Sequence, residues 1–268
     1  MDAQSGRVDR PQHGPAFSWA ALTHSGLRRS TNEDSYRVRP DLTLFVVADG
    51  MGGHVAGEVA SRVTVDALEA FVGQTVDLTR DDTWPFAIDP AISLAANRLK
   101  AGIAVANRRL ADEQAHDPSL KGMATTVSAV LFDTGAAIAH VGDSRVYVYR
   151  RQALERLTAD HSWVEEQVRS GSLSASDARR HPWRNVVTRA LSGGLEPDVD
   201  TREERLDPGD RVLLCTDGLS GVVPDAAIAH QLSRRDSPER LCADLVDDAI
   251  NAGGPDNVTV VLIDINAP

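Results

Sequence analysis

The stretch Leu42-Thr-Leu-Phe-Val-Val-Ala-Asp-Gly-Met-Gly-Gly-His54 joins a strand-like apolar run to a glycine-rich turn, with Asp49 at the junction. Three more aspartates stand at similar junctions: Asp143 follows the run 136–142, Asp217 follows 211–216, and Asp256 precedes 258–263. A carboxylate at the edge of an apolar sheet is costly unless it is paired or binds a cation. One Asp-Gly or Asp-Asn pair can be an ordinary turn. Four together indicate a shared site for hard divalent cations, which prefer oxygen ligands.

Composition restricts the possible partners and compartment. The chain has 268 residues and a net charge of −11, which argues against a nucleic-acid backbone or an anionic membrane as its main partner. Both cysteines, Cys215 and Cys242, lie in apolar runs and are expected in the core, which fits a reducing compartment. No apolar run is long enough to span a membrane, and no signal-peptide pattern is present. We therefore expect a cytoplasmic protein.

Hydrophobic periodicity predicts one domain at 16–266 behind a flexible N-terminal tail at 1–15. The polar, Arg- and Ser-rich stretch at about 160–191, called the flap below, is predicted to be a small excursion from this domain. Short links between neighbouring strands favour antiparallel sheets covered by long helices. The predicted strands are 17–23, 35–38, 42–48, 126–132, 136–141, 145–150, 153–157, 201–206, 211–216 and 258–265, and the predicted helices are 56–72, 90–113 and 238–251.

Five motifs follow one another in a fixed order. They are Gly-x-x-Arg-x-x-Asn-Glu-Asp at 26–34, Asp-Gly-Met-Gly-Gly-His-x-x-Gly-Glu-x-Ala-Ser at 49–61, Val-Gly-Asp-Ser-Arg at 141–145, Thr-Asp-Gly at 216–218 and Asp-Asn-x-Thr at 256–259. In this set and order the chain resembles the bacterial metal-dependent Ser/Thr protein phosphatases of type 2C, the PPM family. The resemblance extends from about residue 18 to 265, nearly the whole chain.

The resemblance implies a fold and a metal centre. The fold is α+β, a four-layer sandwich of two antiparallel β-sheets flanked by helices, with the flap as a small subdomain beside the active-site cleft. The cofactor is Mn²⁺ or Mg²⁺, two ions and in some relatives a third. By position in the motifs, Asp49 would bridge the two ions and the Gly50 carbonyl would bind one of them. Asp217 and Asp256 would complete the first ion's shell, and Asp143 with Asp217 would hold the third ion.

The resemblance also implies the roles of residues around the metals. Arg29 would bind the substrate phosphate, while Glu33, Asp34 and Asn257 would lie behind the metal ligands. The reaction would be hydrolysis of phosphoserine or phosphothreonine by a metal-activated water, without a covalent intermediate. Such an enzyme opposes a bacterial Ser/Thr kinase, so its partners would be that kinase and its phosphorylated substrates. We expect it to act as a monomer.

The general acid and one rival function stay open at this point. His54 is the candidate acid for the leaving alkoxide. The eukaryotic branch of the family, however, places its acid directly after Asp-Gly, where this chain has Met51. The rival function is a catalytically silent binding module, a class that normally lacks the metal aspartates. A cysteine-nucleophile phosphatase is excluded, because neither Cys215 nor Cys242 begins a Cys-x5-Arg loop.

Overall fold

The computed structural model describes residues 2–9, 14–52 and 55–267. The strands are β1 (Asp2–Val8), β2 (Phe17–His24), β3 (Asp34–Arg39), β4 (Leu44–Met51), β5 (Ala124–Thr125), β6 (Val127–Phe132), β7 (Ala136–Val141), β8 (Arg145–Arg150), β9 (Ala153–Arg156), β10 (Asp200–Glu204), β11 (Arg211–Cys215) and β12 (Val258–Ile265). The helices are α1 (Ala56–Thr75), α2 (Leu94–His116), α3 (Trp163–Arg169), α4 (Ala175–Ala178), α5 (Asp217–Ser220), α6 (Asp225–Leu232) and α7 (Pro238–Asn251), with a 3₁₀ turn at Pro118–Leu120.

The strands form two antiparallel sheets. One sheet has the order β1-β2-β12-β11-β8-β9, and the other has the order β10-β7-β6-β4-β3 with β5 paired to β4. All the ladders are antiparallel. Pairs of consecutive strands such as β6–β7 and β8–β9 are joined by links too short for a parallel crossover.

Three apolar clusters separate the layers of the molecule. Between the sheets, the rings of Phe17, Phe45 and Phe132 pack with centroids 5.3–5.8 Å apart. Helices α1 and α2 cover one sheet through a second cluster, and α6 and α7 cover the other sheet through a third. The order helix, sheet, sheet, helix confirms the predicted four-layer α+β fold.

Several predicted boundaries match the structure. Strands β7, β8 and β12 and helix α7 have the predicted limits. Helix α2 starts at Leu94 rather than at residue 90, because the Ser93 hydroxyl accepts a hydrogen bond from the Ala96 amide and caps the helix there. Helix α6 was missed, since its eight residues are too few to show a clear period.

The N-terminal segment differs from the prediction. Residues 2–8, expected within a flexible tail, form β1 at the edge of the first sheet, paired with β2 in register from Asp2–Thr23 to Val8–Phe17. A polar sequence can occupy such a position because an edge strand buries little side-chain area and needs only backbone partners. The predicted flexible tail at 1–15 is therefore wrong for residues 2–8.

Candidate metal and phosphate site

The predicted metal aspartates lie at one end of the two-sheet sandwich. Strands β4 and β7 are parallel to one another across β6, so their carboxyl ends, which carry Asp49 and Asp143, reach the same edge. In the other sheet, β11 ends just before Asp217, and its antiparallel partner β12 begins just after Asp256. Asp34 stands opposite Asp49 in the β3–β4 ladder. Chain topology therefore brings together carboxylates that are far apart in the sequence.

The charges of these aspartates act strongly on one another. Burial, followed by the negative charges of Asp34, Asp217, Asp143 and Asp256, raises the pKa of Asp49 well above its ordinary value. Burial and Asp217 raise the pKa of Asp143 to about 8. Burial also raises the pKa of Asp217, whose carboxyl group is within hydrogen-bonding reach of Asp49. Carboxylates held this close need shared protons or a cation between them.

Two oxygens of the cluster are free to bind a cation. Asp34 Oδ1 and Asp217 Oδ1 are buried, and within the part of the chain that the structure describes neither has a hydrogen-bond donor. A buried carboxylate oxygen without a donor is costly unless a cation takes that place. The donor set consists of carboxylate oxygens, which suits Mn²⁺ or Mg²⁺. The residues present therefore fit the metals that the sequence predicts.

A line of hydroxyl groups orients Asp34 from the other sheet. Its Oδ2 accepts hydrogen bonds from the hydroxyls of Thr216 at 2.8 Å and Thr259 at 2.7 Å. Thr23 bonds to Thr259 at 2.7 Å, and Asn32 donates to Thr23 at 2.9 Å. Burial raises the pKa of Asp34 to about 7, against the lowering effect of the two threonine bonds. The network leaves Oδ1 as the oxygen of Asp34 that faces no donor among the described residues.

Arg29, the predicted phosphate ligand, is paired with one of the predicted metal ligands. Its Nη2 lies 2.7 Å from Asp256 Oδ2, and the Arg29 side chain is half exposed. The other oxygen of Asp256 accepts the backbone amide of Asn257 at 2.9 Å. Among the described residues no three of the clustered aspartates bring ligand oxygens within 4.8 Å of one another. In this structure Arg29 and Asp256 are therefore partners of one another.

Asn257 joins the motif at 26–34 to the start of β12. Its side-chain nitrogen donates to the carbonyls of Ser25 and Thr31, each at 2.9 Å, and its side-chain oxygen accepts the Glu33 amide at 2.8 Å. These three bonds fix the loop that carries Arg29 beside Asp256. Burial raises the pKa of Glu33, which lies in the same loop.

A close backbone approach places Asp217 beside Asp256. Asp217 is the first residue of α5, and the next residue, Gly218, packs directly on the segment before β12. A Cβ atom at Gly218 would lie 1.8 Å from the Asn257 carbonyl oxygen. Only glycine permits this contact, so the Asp-Gly pair serves packing as well as turn formation.

Thr126 connects β4, which carries Asp49, to the loop that carries Asp143. Its hydroxyl lies 3.0 Å from the Asp49 amide and 2.7 Å from the Ser144 hydroxyl. Next to Ser144, the guanidinium group of Arg145 makes a forked contact with Asp160, at 2.9 Å and 2.6 Å, at the entrance to the flap. The loop with Asp143 is thereby tied both to β4 and to the flap.

A cluster of two histidines and an aspartate lies behind the loop that carries Asp143. No role was assigned to these residues from the sequence. The rings of His140 and His161 stack with centroids 4.7 Å apart, and His161 Nε2 lies 3.2 Å from Asp200 Oδ2. These three residues have potential ligand atoms within 4.8 Å of one another. His161 Nδ1 accepts the Gly142 amide, so its proton is on Nε2, and neutral His161 has no lone pair left for a metal. The cluster is therefore a hydrogen-bonded support.

Two predicted site residues, Gly50 and His54, remain to be located in the structure. Gly50 lies in β4 and donates its amide to the Glu33 carbonyl at 3.1 Å. His54, the predicted general acid, lies outside the described residues. Sequence reasoning missed the roles of Thr216 and Thr259, although both stand inside the quoted motifs, because spacing alone does not show which hydroxyl reaches which carboxylate.

Comparison with known proteins identifies the family. The family model described as Protein phosphatase 2C matches residues 26–256, so the chain belongs to this family, as its motifs predict. The serine/threonine protein phosphatase PstP of Mycobacterium tuberculosis is 39% identical over 249 residues, which cover 92% of this chain and 45% of that protein. The chain thus spans about half the length of that relative.

Two further comparisons cover their counterparts almost completely. The serine/threonine phosphatase stp of Listeria welshimeri is 35% identical over 251 residues, covering 91% of this chain and 94% of that protein. The crystal structure of the catalytic domain of PstP in complex with two manganese ions has a TM-score of 0.78 and 35% identity, covering 94% of this chain and 99% of that domain.

None of the described helices combines the length and apolarity needed to cross a membrane.

Proposed function

We propose that this protein is a metal-dependent protein phosphatase that hydrolyses phosphoserine and phosphothreonine in proteins. The observation that carries the proposal is the convergence of Asp34, Asp49, Asp143, Asp217 and Asp256 at one end of the sandwich. Burial raises the pKa of the first four, and two buried oxygens of the cluster lack a donor among the described residues. Membership of the Protein phosphatase 2C family supports this activity, as do relatives described as serine/threonine phosphatases.

The aspartates would hold two Mn²⁺ or Mg²⁺ ions, with room for a third. Asp49, the Gly50 carbonyl, Asp217 and Asp256 would hold the two ions, and Asp143 with Asp217 would hold the third. Bound ions would supply positive charge to the phosphoryl group and lower the pKa of the attacking water. The complex of a related catalytic domain with two manganese ions supports this metal count.

Arg29 would bind the phosphate of the substrate. A guanidinium group can contact two phosphate oxygens at once, and it would make this contact both in the bound substrate and during phosphoryl transfer. In this structure the same group contacts Asp256 at 2.7 Å. Exchange of this partner for phosphate would leave Asp256 free to bind a cation. Glu33, Asp34 and Asn257 would keep the loop and the ligands in place, and His54 would donate a proton to the leaving alkoxide.

The partners follow from the activity. We propose that the substrates are proteins phosphorylated by a bacterial Ser/Thr kinase, and that the kinase itself is one of them. The protein would work in the cytoplasm as a monomer. A net charge of −11 disfavours binding to nucleic acid or to an anionic membrane.

Hydrolysis of p-nitrophenyl phosphate with and without Mn²⁺ tests the proposal. We expect metal-stimulated hydrolysis by the wild-type protein, and none by Asp217→Ala or Asp256→Asn, which should also bind Mn²⁺ more weakly in calorimetric titration while staying folded. Asp81→Asn, at an exposed site outside the cluster, is the matched control and should behave like the wild type.

Two results would contradict the proposal. Absence of hydrolysis in the presence of Mn²⁺ would favour the silent binding module. Unchanged Mn²⁺ titrations in the Asp217 and Asp256 variants would refute the ligand assignment.

A further inference from the structure

A cavity of about 470 Å³ separates the flap from the body of the protein. Asp143 and Asp217 line it on the side of the carboxylate cluster, and Val164, Glu165 and Ala178, from α3 and α4, line it on the side of the flap. The cavity is therefore continuous with the site where a phosphorylated residue would bind. It is large enough to receive a side chain that neighbours that residue in a substrate.

Two arginines in the cavity wall are already neutralised by carboxylates. Arg145 forms its forked pair with Asp160, with a shortest contact of 2.6 Å. Arg156 lies 2.8 Å from Glu165 and 3.5 Å from Asp160. These charges hold the flap entrance to the body and are not available to a ligand.

Two further arginines in the wall, Arg179 and Arg184, are unpaired. Both lie in the flap and are exposed, and neither has a side-chain hydrogen bond or an ion pair to any residue in the described ranges. The chain as a whole carries a net charge of −11, so two unpaired guanidinium groups that face the same cavity form a local positive charge on an acidic protein. Guanidinium groups are suited to carboxylate and phosphate groups, which they can contact bidentately.

We propose that this cavity is a second anion subsite that selects the substrate. Arg179 and Arg184 bind an anionic group that lies near the phosphorylated residue in the substrate chain, either an Asp or Glu carboxylate or a second phosphate. The inference rests on the proposed function, because it takes the carboxylate cluster as the place where phosphate is hydrolysed.

Initial-rate measurements on matched phosphopeptides test the subsite. The peptides carry one phosphothreonine and differ in one flanking residue, which is alanine, glutamate or a non-hydrolysable phosphonate analogue of phosphoserine, placed on the amino or the carboxyl side. For the wild type we expect kcat/KM to be roughly five- to tenfold higher with an anionic neighbour, the range that two partly exposed ion pairs support. A larger gain with the phosphonate than with glutamate assigns the second anion as a phosphate.

The double variant Arg179→Ala/Arg184→Ala should lose this preference. It should keep the wild-type rate on the alanine peptide and on p-nitrophenyl phosphate, because neither carries an anionic neighbour for the two arginines to bind. Arg180→Ala is the matched control, because Arg180 is also an exposed flap arginine but is not part of the cavity wall. It should retain the full preference.

Three results would overturn the subsite: equal kcat/KM for all wild-type peptides, a preference that survives in the double variant, or an equal loss in Arg180→Ala. Failure of the proposed function looks different, because the wild type would then hydrolyse neither the peptides nor p-nitrophenyl phosphate with Mn²⁺ present.

Discussion

His161 and Gly142 hold each other through two hydrogen bonds. The Gly142 amide donates to His161 Nδ1 at 3.1 Å, and the His161 amide donates to the Gly142 carbonyl at 2.9 Å. Gly142 has a φ of +109°, and a Cβ atom there would lie 2.5 Å from the Thr126 side chain, so the position requires glycine. The next residue is Asp143. The histidine at the start of the flap therefore fixes the backbone that presents a proposed metal ligand.

Replacement of His161 should weaken metal binding at Asp143. In His161→Ala the Gly142 amide loses its acceptor, and we expect a higher Mn²⁺ concentration for half-maximal activity and weaker binding of the proposed third ion in calorimetric titration. Asp200→Asn keeps an oxygen opposite His161 Nε2 and should stay close to the wild type, whereas Asp200→Ala should shift toward His161→Ala. Unchanged Mn²⁺ dependence in His161→Ala would exclude this positioning role.

Replacement of Arg29 should affect mainly substrate binding. Arg29→Ala removes one charge-assisted phosphate contact, so we expect the KM for phosphopeptides to rise roughly tenfold with a smaller change in kcat. Arg28→Ala is the control, since Arg28 is also exposed and has no ion pair among the described residues. Steady-state kinetics at saturating Mn²⁺ provide the measurement. A fall in kcat alone would mean that Arg29 is not a substrate clamp.

The stability of the metal-free protein should decrease as the pH rises from 6 to 8.5. The pKa of Asp34 is about 7 and that of Asp143 about 8 in the folded chain, against about 3.9 for an unperturbed aspartate. Between these limits the folded state binds more protons than the unfolded state, so a rise in pH favours unfolding. Thermal unfolding in a chelating buffer should therefore show a falling Tm.

Two controls connect this pH dependence to the cluster. Asp143→Asn removes one titrating group and should flatten the slope of Tm against pH. Addition of Mn²⁺ at pH 8 should raise the Tm and release protons, which calorimetry in two buffers of different ionisation enthalpy can count. A slope in Asp143→Asn equal to that of the wild type would show that other groups cause the dependence.

Truncation of Phe45 should destabilise the whole sandwich. Phe45 is fully buried between the sheets and touches the rings of Phe17 and Phe132. We expect Phe45→Ala to lower the free energy of unfolding by roughly 3–5 kcal/mol, measured by denaturant titration. Leu195→Ala, at a side chain that is 95% exposed, should change it by less than about 0.5 kcal/mol. Similar losses in both variants would contradict the central position of the aromatic cluster.

Local sequence patterns were sufficient to locate most of the elements. The limits of β7, β8, β12 and α7 agree with the prediction, because alternating or helical periodicity is strong in each and glycine, proline or a polar turn ends it. Strand β1 and the start of α2 differ, because edge pairing in one case and the Ser93 cap in the other depend on a partner that periodicity does not reveal.

The sequence by itself determined the family, since the ordered motifs are properties of the chain, and the resemblance that they carry implied the four-layer fold and the candidate ligands. Tertiary structure decided which groups support those ligands: Thr216 and Thr259 reach Asp34 from the other sheet, and His161 reaches Gly142 from the flap. Hydrogen bonds of 2.7–3.1 Å form only where the fold brings distant segments together, and the spacing of residues along the chain does not predict which segments meet.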